Sequence, residues 1–383
     1  MDHQTTADRE IALYIHIPFC RRRCAYCDFN AYADPGWEFR HRYHRALLDD
    51  LCRSTAGQSY ILRSVYIGGG TPSLCPAAWL AEILEACRRQ FVWHEGIEVS
   101  IEANPGTLDA SALSGMLAAG INRLSLGVQS LDDDLLAILG RIHDRRTAAE
   151  SVRLAYAAGF ANVNVDLMYG LPQQTAVSMR DTLAEVLSWR LQHISAYALS
   201  VEEGTPLQRS LAEGRWQLPA EDEAEAIEQV LRELLTEYGY SHYEISNWCL
   251  PGYECRHNGV YWANGEYLGV GCGAVSFLDG WRFARLRDPR EYIAAIEEER
   301  FPVTSGERLG WESRLRETMM LGMRTAKGID LADLAQRFPV SVHDLLGLWR
   351  EVPADFIEID DNRIRFTQLG WDLSNEVFLR YFM

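Results

Sequence analysis

Apolar segments alternate with longer amphipathic stretches between residues 11 and 199 of this 383-residue chain. The apolar segments that the pattern predicts as strands are residues 11–19, 65–67, 98–102, 123–128, 163–167 and 194–199. The amphipathic stretches predicted as helices between them are residues 77–90, 131–139, 148–158 and 179–187. The strands recur about every 30 residues, which is the length of a β–α unit. The pattern predicts an α/β fold with a partial (β/α)6 barrel.

Polar residues and glycines stand where the predicted strands end. Cys20, residues 68–71, residues 102–105, Gln129 and Asp166 each lie at the carboxyl end of a predicted strand. The carboxyl ends of parallel strands form one rim of a barrel, and that rim carries the active site in α/β barrels. We therefore expect these residues to meet in a single site.

Three cysteines follow the first predicted strand, with three residues between Cys20 and Cys24 and two between Cys24 and Cys27. Three thiolates on one short loop can ligate three irons of a 4Fe–4S cluster, which leaves the fourth iron open to a small molecule. A radical S-adenosylmethionine (SAM) enzyme requires this arrangement. The alternatives are a zinc site that takes a distant fourth ligand, or three unrelated thiols. Zinc sites of this kind usually pair two CxxC units, and the sequence has no second unit.

Residues 68–72, Gly-Gly-Gly-Thr-Pro, end the second predicted strand. Glycines let the backbone approach a ligand closely and adopt positive φ, so this turn can hold the amino group of SAM. Glu102 can bind ribose hydroxyls or an ammonium group, at the mouth of a barrel that we expect to be lined otherwise by Val99 and Ile101. By itself, the glycine turn is equally typical of a structural β–α connection, and Glu102 of a helix cap.

Three further polar residues suit the rest of a SAM molecule. Gln129 offers a donor and an acceptor to the adenosine, and Asp166 can accept hydrogen bonds from two ribose hydroxyls. Arg141 can form a bidentate pair with the methionyl carboxylate. Each of these types is common on ordinary protein surfaces, so their position beside the cysteine loop is what favours a binding role.

Composition limits the class of protein. A formal net charge of −17 disfavours nucleic acid as a main partner, because phosphate binding needs a basic surface. Residues 1–10 contain no apolar signal segment, and no run of 18 apolar residues predicts a transmembrane helix. Nine cysteines without a secretory signal are typical of a reducing compartment. We expect a cytoplasmic protein, with the acidic residues 221–228 on the solvated face of an outer helix.

The pattern changes after about residue 240. Residues 243–273 are rich in aromatic residues and glycine, and helices are predicted between residues 311 and 349. Residues 356–359 and 363–366 predict a hairpin, which a helix at 369–381 follows. This end predicts a smaller α+β, winged-helix-like domain, whose role we expect to be packing or covering a substrate.

Residues 14–202 resemble the radical SAM core of the HemN-like family, and the similarity continues into the C-terminal part. The motifs that carry the resemblance are residues 14–20 (YIHIPFC), 27–29 (CDF), 68–72 (GGGTP), 102–106 (EANPG) and 166–172 (DLMYGLP). It implies a core at residues 1–240 and a HemN-type C-terminal domain at residues 241–383. It also implies a 4Fe–4S cluster on Cys20, Cys24 and Cys27. The residues that it implies for the SAM site are Tyr14, Tyr26, Gly69, Gly70, Thr71, Glu102, Gln129, Arg141, Asp166 and Ala198.

Two features resemble the heme chaperones of this family rather than its oxygen-independent coproporphyrinogen III oxidases. The oxidases carry another cysteine two residues after the third and have a longer N-terminal arm, whereas here Asp28 and Phe29 follow Cys27. Residues 257–262, His-Asn-Gly-Val-Tyr-Trp, match a pattern associated with heme binding, so the resemblance implies His257 as a heme ligand. On the residues alone, a histidine beside aromatic rings is more often structural.

The resemblance implies a chaperone that binds heme and passes it to an apo-hemoprotein client, such as a respiratory enzyme. Whether SAM is cleaved in turnover, and whether the chain forms a homodimer, are left open. One departure is Val275, where the family usually has a histidine. The alternatives are a HemN-like methyltransferase or cyclopropane-forming enzyme that uses SAM, and the less favoured coproporphyrinogen III oxidase. No catalytic residue is assigned.

Overall fold

The computed structural model describes residues 9–382. Residues 1–8, which hold most of the N-terminal stretch discussed above, and residue 383 lie outside the described residues. The strands are β1 (Arg9–Ile17), β2 (Phe19–Cys20), β3 (Tyr32–Ala33), β4 (Tyr60–Gly69), β5 (Val92–Ala103), β6 (Arg123–Gln129), β7 (Val163–Tyr169), β8 (His193–Ala198), β9 (Ser241–Glu244), β10 (Asn247–Cys249), β11 (Tyr267–Val270), β12 (Val275–Leu278), β13 (Trp281–Arg285), β14 (Val303–Arg308), β15 (Ile329–Asp330), β16 (Ile357–Asp360) and β17 (Arg363–Phe366).

The helices are α1 (Trp37–Ser54), α2 (Ala77–Gln90), α3 (Ala110–Ala119), α4 (Asp133–Ile138), α5 (Arg145–Ala158), α6 (Ala176–Ser188), α7 (Pro206–Ala212), α8 (Glu221–Glu237), α9 (Arg256–Trp262), α10 (Pro289–Glu297), α11 (Trp311–Gly322), α12 (Leu331–Arg337), α13 (Val342–Trp349), α14 (Gln368–Asp372) and α15 (Ser374–Tyr381). A 3₁₀ turn, Pro72–Leu74, follows β4. Within residues 9–382, every helix is too short or too polar to cross a lipid bilayer.

The six predicted strands are β1 and β4 to β8, which lie side by side in that order and pair in parallel. The four predicted helices are α2, α4, α5 and α6, and the bounds of α2 match the prediction. Strand β11 adds to the other side of β1 in parallel, and β12 to β14 continue from it as antiparallel strands. Strands β10 and β9 close the opposite edge. The predicted α/β fold with a (β/α)6 core is confirmed.

The prediction about the barrel interior was wrong at two positions. Side chains alternate between the two faces of a strand, so Glu98, Ser100 and Glu102 share one face of β5 and Val99 and Ile101 share the other. Val99 and Ile101 belong to the main hydrophobic core that the helices cover. The face that carries Glu102 is polar because its neighbours on β5 are a serine and a glutamate.

The large sheet extends beyond the predicted boundary at residue 240, because β9 to β14 belong to it. A second hydrophobic core joins α11 to α13, the sheet of β15, β17 and β16, and α15. The predicted hairpin is β16 and β17, whereas the predicted helix at 369–381 is two helices that meet at Leu373. The division into domains at 1–240 and 241–383 stays a prediction.

Helix α8 carries the acidic residues 221–228. Its buried side chains are Ile227, Val230, Leu231 and Leu235, and acidic side chains occupy its outward side. The acidic stretch is therefore the solvated face of an outer helix, as predicted. Three acidic residues in its first turn also favour the helix, since negative charge stabilises a helix N-terminus.

Candidate functional site

A cavity of about 390 Å³ opens at the carboxyl ends of the parallel strands. The predicted site residues that line it are Cys20, Cys24, Tyr26, Cys27, Gly69, Gly70, Thr71, Glu102, Gln129, Arg141 and Asp166. Two predicted SAM-site residues, Tyr14 and Ala198, are not in its lining. The cavity is large enough for a ligand the size of a nucleoside derivative.

Backbone contacts hold the cysteine loop at both ends and in its middle. Strand β2, which ends at Cys20, pairs in parallel with β3 and closes the loop. The amide of Ala25 donates to the carbonyl of Leu139 at 2.9 Å, and the carbonyl of Ala25 accepts from the amide of Leu207 at 2.9 Å. The fold therefore sets the path of the loop through the protein's own hydrogen bonds.

All three thiols of the loop are partly accessible and face the cavity. The Thr71 hydroxyl donates to Cys20 Sγ at 3.4 Å, and Arg141 Nη1 donates to Cys24 Sγ at 3.2 Å. Burial raises the pKa of the Cys20 and Cys27 thiols. A thiol must lose its proton to bind a metal, so the positive charge of bound iron would have to stabilise these thiolates.

The cysteines suit a cluster better than a single metal ion. In the part of the chain that the structure describes, no three His, Cys, Asp or Glu side chains are placed to hold one metal ion. In a 4Fe–4S cluster, each cysteine ligates a different iron, so the sulfurs lie farther apart than around one zinc. Three thiols around one open cavity fit that arrangement. All nine cysteines lie in the described residues and are free of disulfides.

The glycine turn packs directly against β1 and the cysteine loop. Gly69 has φ of +117°, and a Cβ atom there would lie 2.5 Å from His16 Cε1. A Cβ atom on Gly70 would lie 2.7 Å from the carbonyl carbon of Pro18. The amides of Gly69 and Gly70 already donate to Glu102 Oε2 and to the carbonyl of Ile17. The carbonyl groups of this turn can accept hydrogen bonds from an amino group, and these two amides are already used within the protein.

Two carboxyl groups lie at the floor of the cavity. Glu102 accepts from the Tyr66 hydroxyl and the Gly69 amide, both at 2.9 Å. Asp166 accepts from Asn164 Nδ2 at 2.7 Å, and burial raises the pKa of its carboxyl. Asp166 lies in the middle of β7, not at its carboxyl end as predicted, but its side chain reaches the cavity. Both carboxyl groups have room to accept hydrogen bonds from ligand hydroxyls.

Arg141 is held by a residue to which the sequence interpretation gave no role. Its Nη2 donates to Asn104 Oδ1 and to the carbonyl of Gly127, and Asn104 Nδ2 donates to Thr71 Oγ1 at 2.8 Å. Asn104 therefore orients two of the predicted site residues. Asn104 lies within the 102–106 motif, directly after a strand at its carboxyl end. That position could have indicated a role in the site. The predicted pairing of Arg141 with a methionyl carboxylate stays a prediction.

Gln129 has positive φ, at 71°, which is uncommon for a residue other than glycine. The residue ends β6 and turns the chain at the rim of the cavity. Such backbone strain occurs often at ligand sites, where the surrounding structure holds it. The conformation is consistent with the predicted contact to adenosine.

Below the cavity, the barrel interior is a hydrogen-bonded polar network that the sequence interpretation missed. His193 Nδ1 lies 2.7 Å from Asn164 Oδ1, and its Nε2 lies 2.8 Å from the Tyr243 hydroxyl. Asn164 in turn donates to Asp166. Burial lowers the pKa of His193 well below its ordinary value, so its ring is neutral. Polar residues at alternate positions of β7 and β8 could have predicted this network, because alternate residues of a strand share one face.

Tyr14 and Ala198 have different positions relative to the cavity. The Tyr14 hydroxyl lies 2.9 Å from His16 Nδ1, and its ring lies over Tyr66, 6.3 Å between centroids. Tyr14 thus supports Tyr66, which donates to Glu102. Ala198 is exposed at the end of β8, next to Tyr197, which lines the cavity. Their roles in SAM binding stay predictions.

His257 lies outside this cavity, at the start of α9. Its side chain is buried at 1% exposure, with Nδ1 2.9 Å from Ser64 Oγ and Nε2 2.8 Å from the Tyr261 hydroxyl. Burial lowers its pKa to about 3. Both ring nitrogens are hydrogen-bonded within the protein, so in this conformation neither is open to heme iron. Ligation of heme by His257 stays a prediction and requires this segment to open.

Glu102 gives the protein a predicted pH dependence. Burial raises the pKa of its carboxyl from 4.5 to about 7, so the folded protein holds a proton that the unfolded chain releases at lower pH. The free energy of unfolding therefore falls as the pH rises through this window, by about 3 kcal/mol. We expect Glu102→Gln to remove this loss, which urea denaturation of metal-free protein at about pH 5 and about pH 8 measures.

The control for this prediction is Glu85→Gln, because Glu85 is exposed on α2. That variant should keep the pH dependence of the original chain. Equal pH dependence of Glu102→Gln and the original chain would contradict the assignment of a protonated Glu102.

Comparison with known proteins agrees with this architecture. The Radical SAM superfamily profile matches residues 14–186, and the HemN C-terminal domain profile matches residues 312–373. The heme chaperone HemW of Lactococcus lactis is 34% identical over 375 residues, which cover 97% of both chains. HemW of Synechocystis is 39% identical over 84% of this chain and 80% of that protein. The chain belongs to the HemW family.

One more HemW protein and one solved structure extend the comparison. Escherichia coli HemW is 38% identical over 74% of this chain and 75% of its own length. The structure of coproporphyrinogen III oxidase (HemN) from Escherichia coli, a radical SAM enzyme, superposes with a TM-score of 0.86. It covers 98% of this chain and 90% of that chain at 23% sequence identity, so it shows a shared fold. The predicted family is confirmed.

Proposed function

We propose that this protein is a heme chaperone, which binds heme and transfers it to an apo-hemoprotein client. The observation that carries the proposal is the near full-length similarity to proteins named heme chaperone HemW, at 34% identity over 97% of the chain. Phe29, in place of the additional cysteine of the oxidases, supports the same choice. Heme as the ligand and a hemoprotein as the client are proposals for this chain.

The cavity supports a radical SAM centre as part of this function. Cys20, Cys24 and Cys27 would ligate a 4Fe–4S cluster, which when bound supplies one-electron chemistry and an open iron for SAM. Glu102 and Asp166 would accept hydrogen bonds from the ligand's hydroxyl groups at the cavity floor. The other predicted residues would surround the rest of SAM. The walls of the barrel would exclude water from the bound ligand.

His257 is the residue that we propose for heme ligation. In the described conformation its ring nitrogens are hydrogen-bonded to Ser64 and Tyr261, so ligation would require α9 to move. Such motion would break the hydrogen bond to Ser64 on β4, whereas Tyr261 lies on α9 with His257, and iron would need only one ring nitrogen. A cytoplasmic location, a respiratory client and a homodimer stay predictions.

Heme titration of anaerobically reconstituted protein, followed by the Soret band, tests the function. We expect saturable binding, and we expect His257→Ala to bind at least about tenfold more weakly or with a changed spectrum. His257→Gln serves as a second variant because it keeps a hydrogen-bonding side chain, and circular dichroism checks that both variants fold. Ser64→Ala is the matched control, since it removes one hydrogen bond to His257 without removing the imidazole.

Absence of saturable heme binding in the original chain would contradict the chaperone function. If folded His257→Ala binds heme with unchanged affinity and spectrum, the chaperone function stands and His257 is not the ligand.

A further inference from the structure

An exposed stripe on α1 carries three side chains that suit a porphyrin. Trp37, His41 and Arg45 are four residues apart and exposed, so they lie along one face of the helix, about 6 Å apart per step. Trp37 is 57% exposed, so part of its apolar ring is open to a ligand. We call these three residues the α1 stripe.

A buried aromatic layer supports the α1 stripe. The Trp79 ring at the start of α2 lies 4.7 Å from the Trp37 ring and 5.7 Å from the His41 ring. Behind it, His44 stacks on Trp79 at 4.8 Å and is hydrogen-bonded to Glu82 at 2.8 Å. The exposed rings therefore rest on a packed base, which limits their motion.

Two polar side chains of the α1 stripe have no hydrogen bond or ion pair within the described residues. Among residues 9–382, His41 has ring contacts but no hydrogen bond, and Arg45 has neither a hydrogen bond nor an ion pair. The neighbouring arginines are committed, since Arg40 pairs with Asp34 and Arg42 with Glu297. The α1 stripe therefore presents an arginine without an ion pair, one helical turn from an imidazole without a hydrogen bond. The net charge of the chain is −17, so a positive side chain without a carboxylate partner is notable.

The α1 stripe lies at the same end of the barrel as the cavity. Helix α1 starts four residues after β3, which pairs with the strand that ends at Cys20. Helix α2 starts shortly after the glycine turn at the carboxyl end of β4. Both helices thus begin near the mouth of the cavity, and the stripe lies on their outer side.

We propose that the α1 stripe is an external docking site for heme. His41 ligates the iron, Trp37 packs against the porphyrin and Arg45 pairs with a propionate. The inference rests on the proposed function, because a chaperone must take up heme from outside. It also answers a structural problem: the buried His257 is closed to solvent, whereas His41 is open to it.

Titration of the anaerobically reconstituted full chain with hemin tests the docking site. We expect His41→Ala to weaken saturable binding by at least about tenfold. His41→Met, which replaces one type of iron ligand with another, should shift the Soret band. The matched control is His343→Ala, because His343 is also an exposed helical histidine, on α13. It should bind as the original chain does.

Arg45 allows a chemical control that does not depend on the axial ligand. Arg45→Ala should bind hemin about tenfold more weakly, because a charge-assisted hydrogen bond is lost. The same variant should bind hemin dimethyl ester as well as the original chain does, since the ester has no carboxylates. Equal loss for both ligands, or no loss for either, would overturn the assignment of Arg45.

The outcomes separate the docking site from the proposed function. Unchanged affinity and spectrum in the His41 variants overturn the docking site, and a loss confined to the His257 variants leaves the chaperone function in place. If the unsubstituted protein binds no hemin, both the docking site and the chaperone function are overturned. Hemin binding that weakens in the His41 variants and not in His343→Ala supports the docking site.

Discussion

Cys24→Ser is expected to lose the iron–sulfur cluster completely. The two remaining thiols, Cys20 and Cys27, can ligate only two of the irons, and serine oxygen is a harder ligand than the thiolate that such clusters take. Iron and sulfide analysis after anaerobic reconstitution should fall from about four of each per chain to near zero. The variant should still fold, because the hydrogen bonds that hold the loop come from the backbone of Ala25.

Cys52→Ser is the matched control for the cluster. Cys52 is an exposed free cysteine on α1 and lies outside the cavity lining. Its replacement should leave iron and sulfide content unchanged. Full cluster content in Cys24→Ser would contradict the predicted ligand set, and thermal melting of the metal-free variant would separate a lost ligand from a lost fold.

Asp50→Ala is expected to cost about 3–5 kcal/mol of the free energy of unfolding. Asp50 on α1 and Arg285 on β13 form an ion pair at 3.1 Å, with side-chain exposures of 1% and 2%. The Tyr292 hydroxyl donates to the same carboxylate at 2.8 Å, and the Gly271 amide at 3.2 Å. Removal of the carboxylate leaves the Arg285 charge buried without a counter-charge, because its other partner, the Ser54 hydroxyl, is neutral. Urea denaturation measures the loss.

The control is an exposed ion pair that also connects α1 to a later segment of the chain. Glu297→Ala breaks the Arg42–Glu297 pair between α1 and α10, in which both side chains are 52% exposed. Exposed pairs contribute about 0–1 kcal/mol, so this variant should be close to the original chain in stability. Similar losses in the two variants would contradict the importance of burial. The ion pair of Asp50 would then not be what fixes β13 against α1.

Local sequence determined much of the fold. The order of the parallel strands followed from apolar segments at a β–α spacing, and the cysteine spacing placed three thiols on one loop beside the glycine turn. These features depend on neighbours in the chain, so a pattern can carry them. The convergence of strand ends at one rim then follows from parallel pairing itself.

The polar interior of the barrel was decided by tertiary structure. Strands of a parallel sheet are buried on both faces, so burial alone does not show which face turns inward. The alternation of side chains along β5 places Val99 and Ile101 on one face and Glu98, Ser100 and Glu102 on the other. Only the packing of the helices shows which face points into the barrel.

Contacts between distant segments decided the rest. Strand β11 pairs with β1 across about 250 residues of sequence, with Ala12 opposite Tyr267, and no local pattern specifies that partner. The same folding buries His257 against Ser64 and leaves His41 exposed. The sequence by itself determined which residues can ligate iron. Tertiary structure decided which of them are accessible, because accessibility depends on what the rest of the chain packs against them.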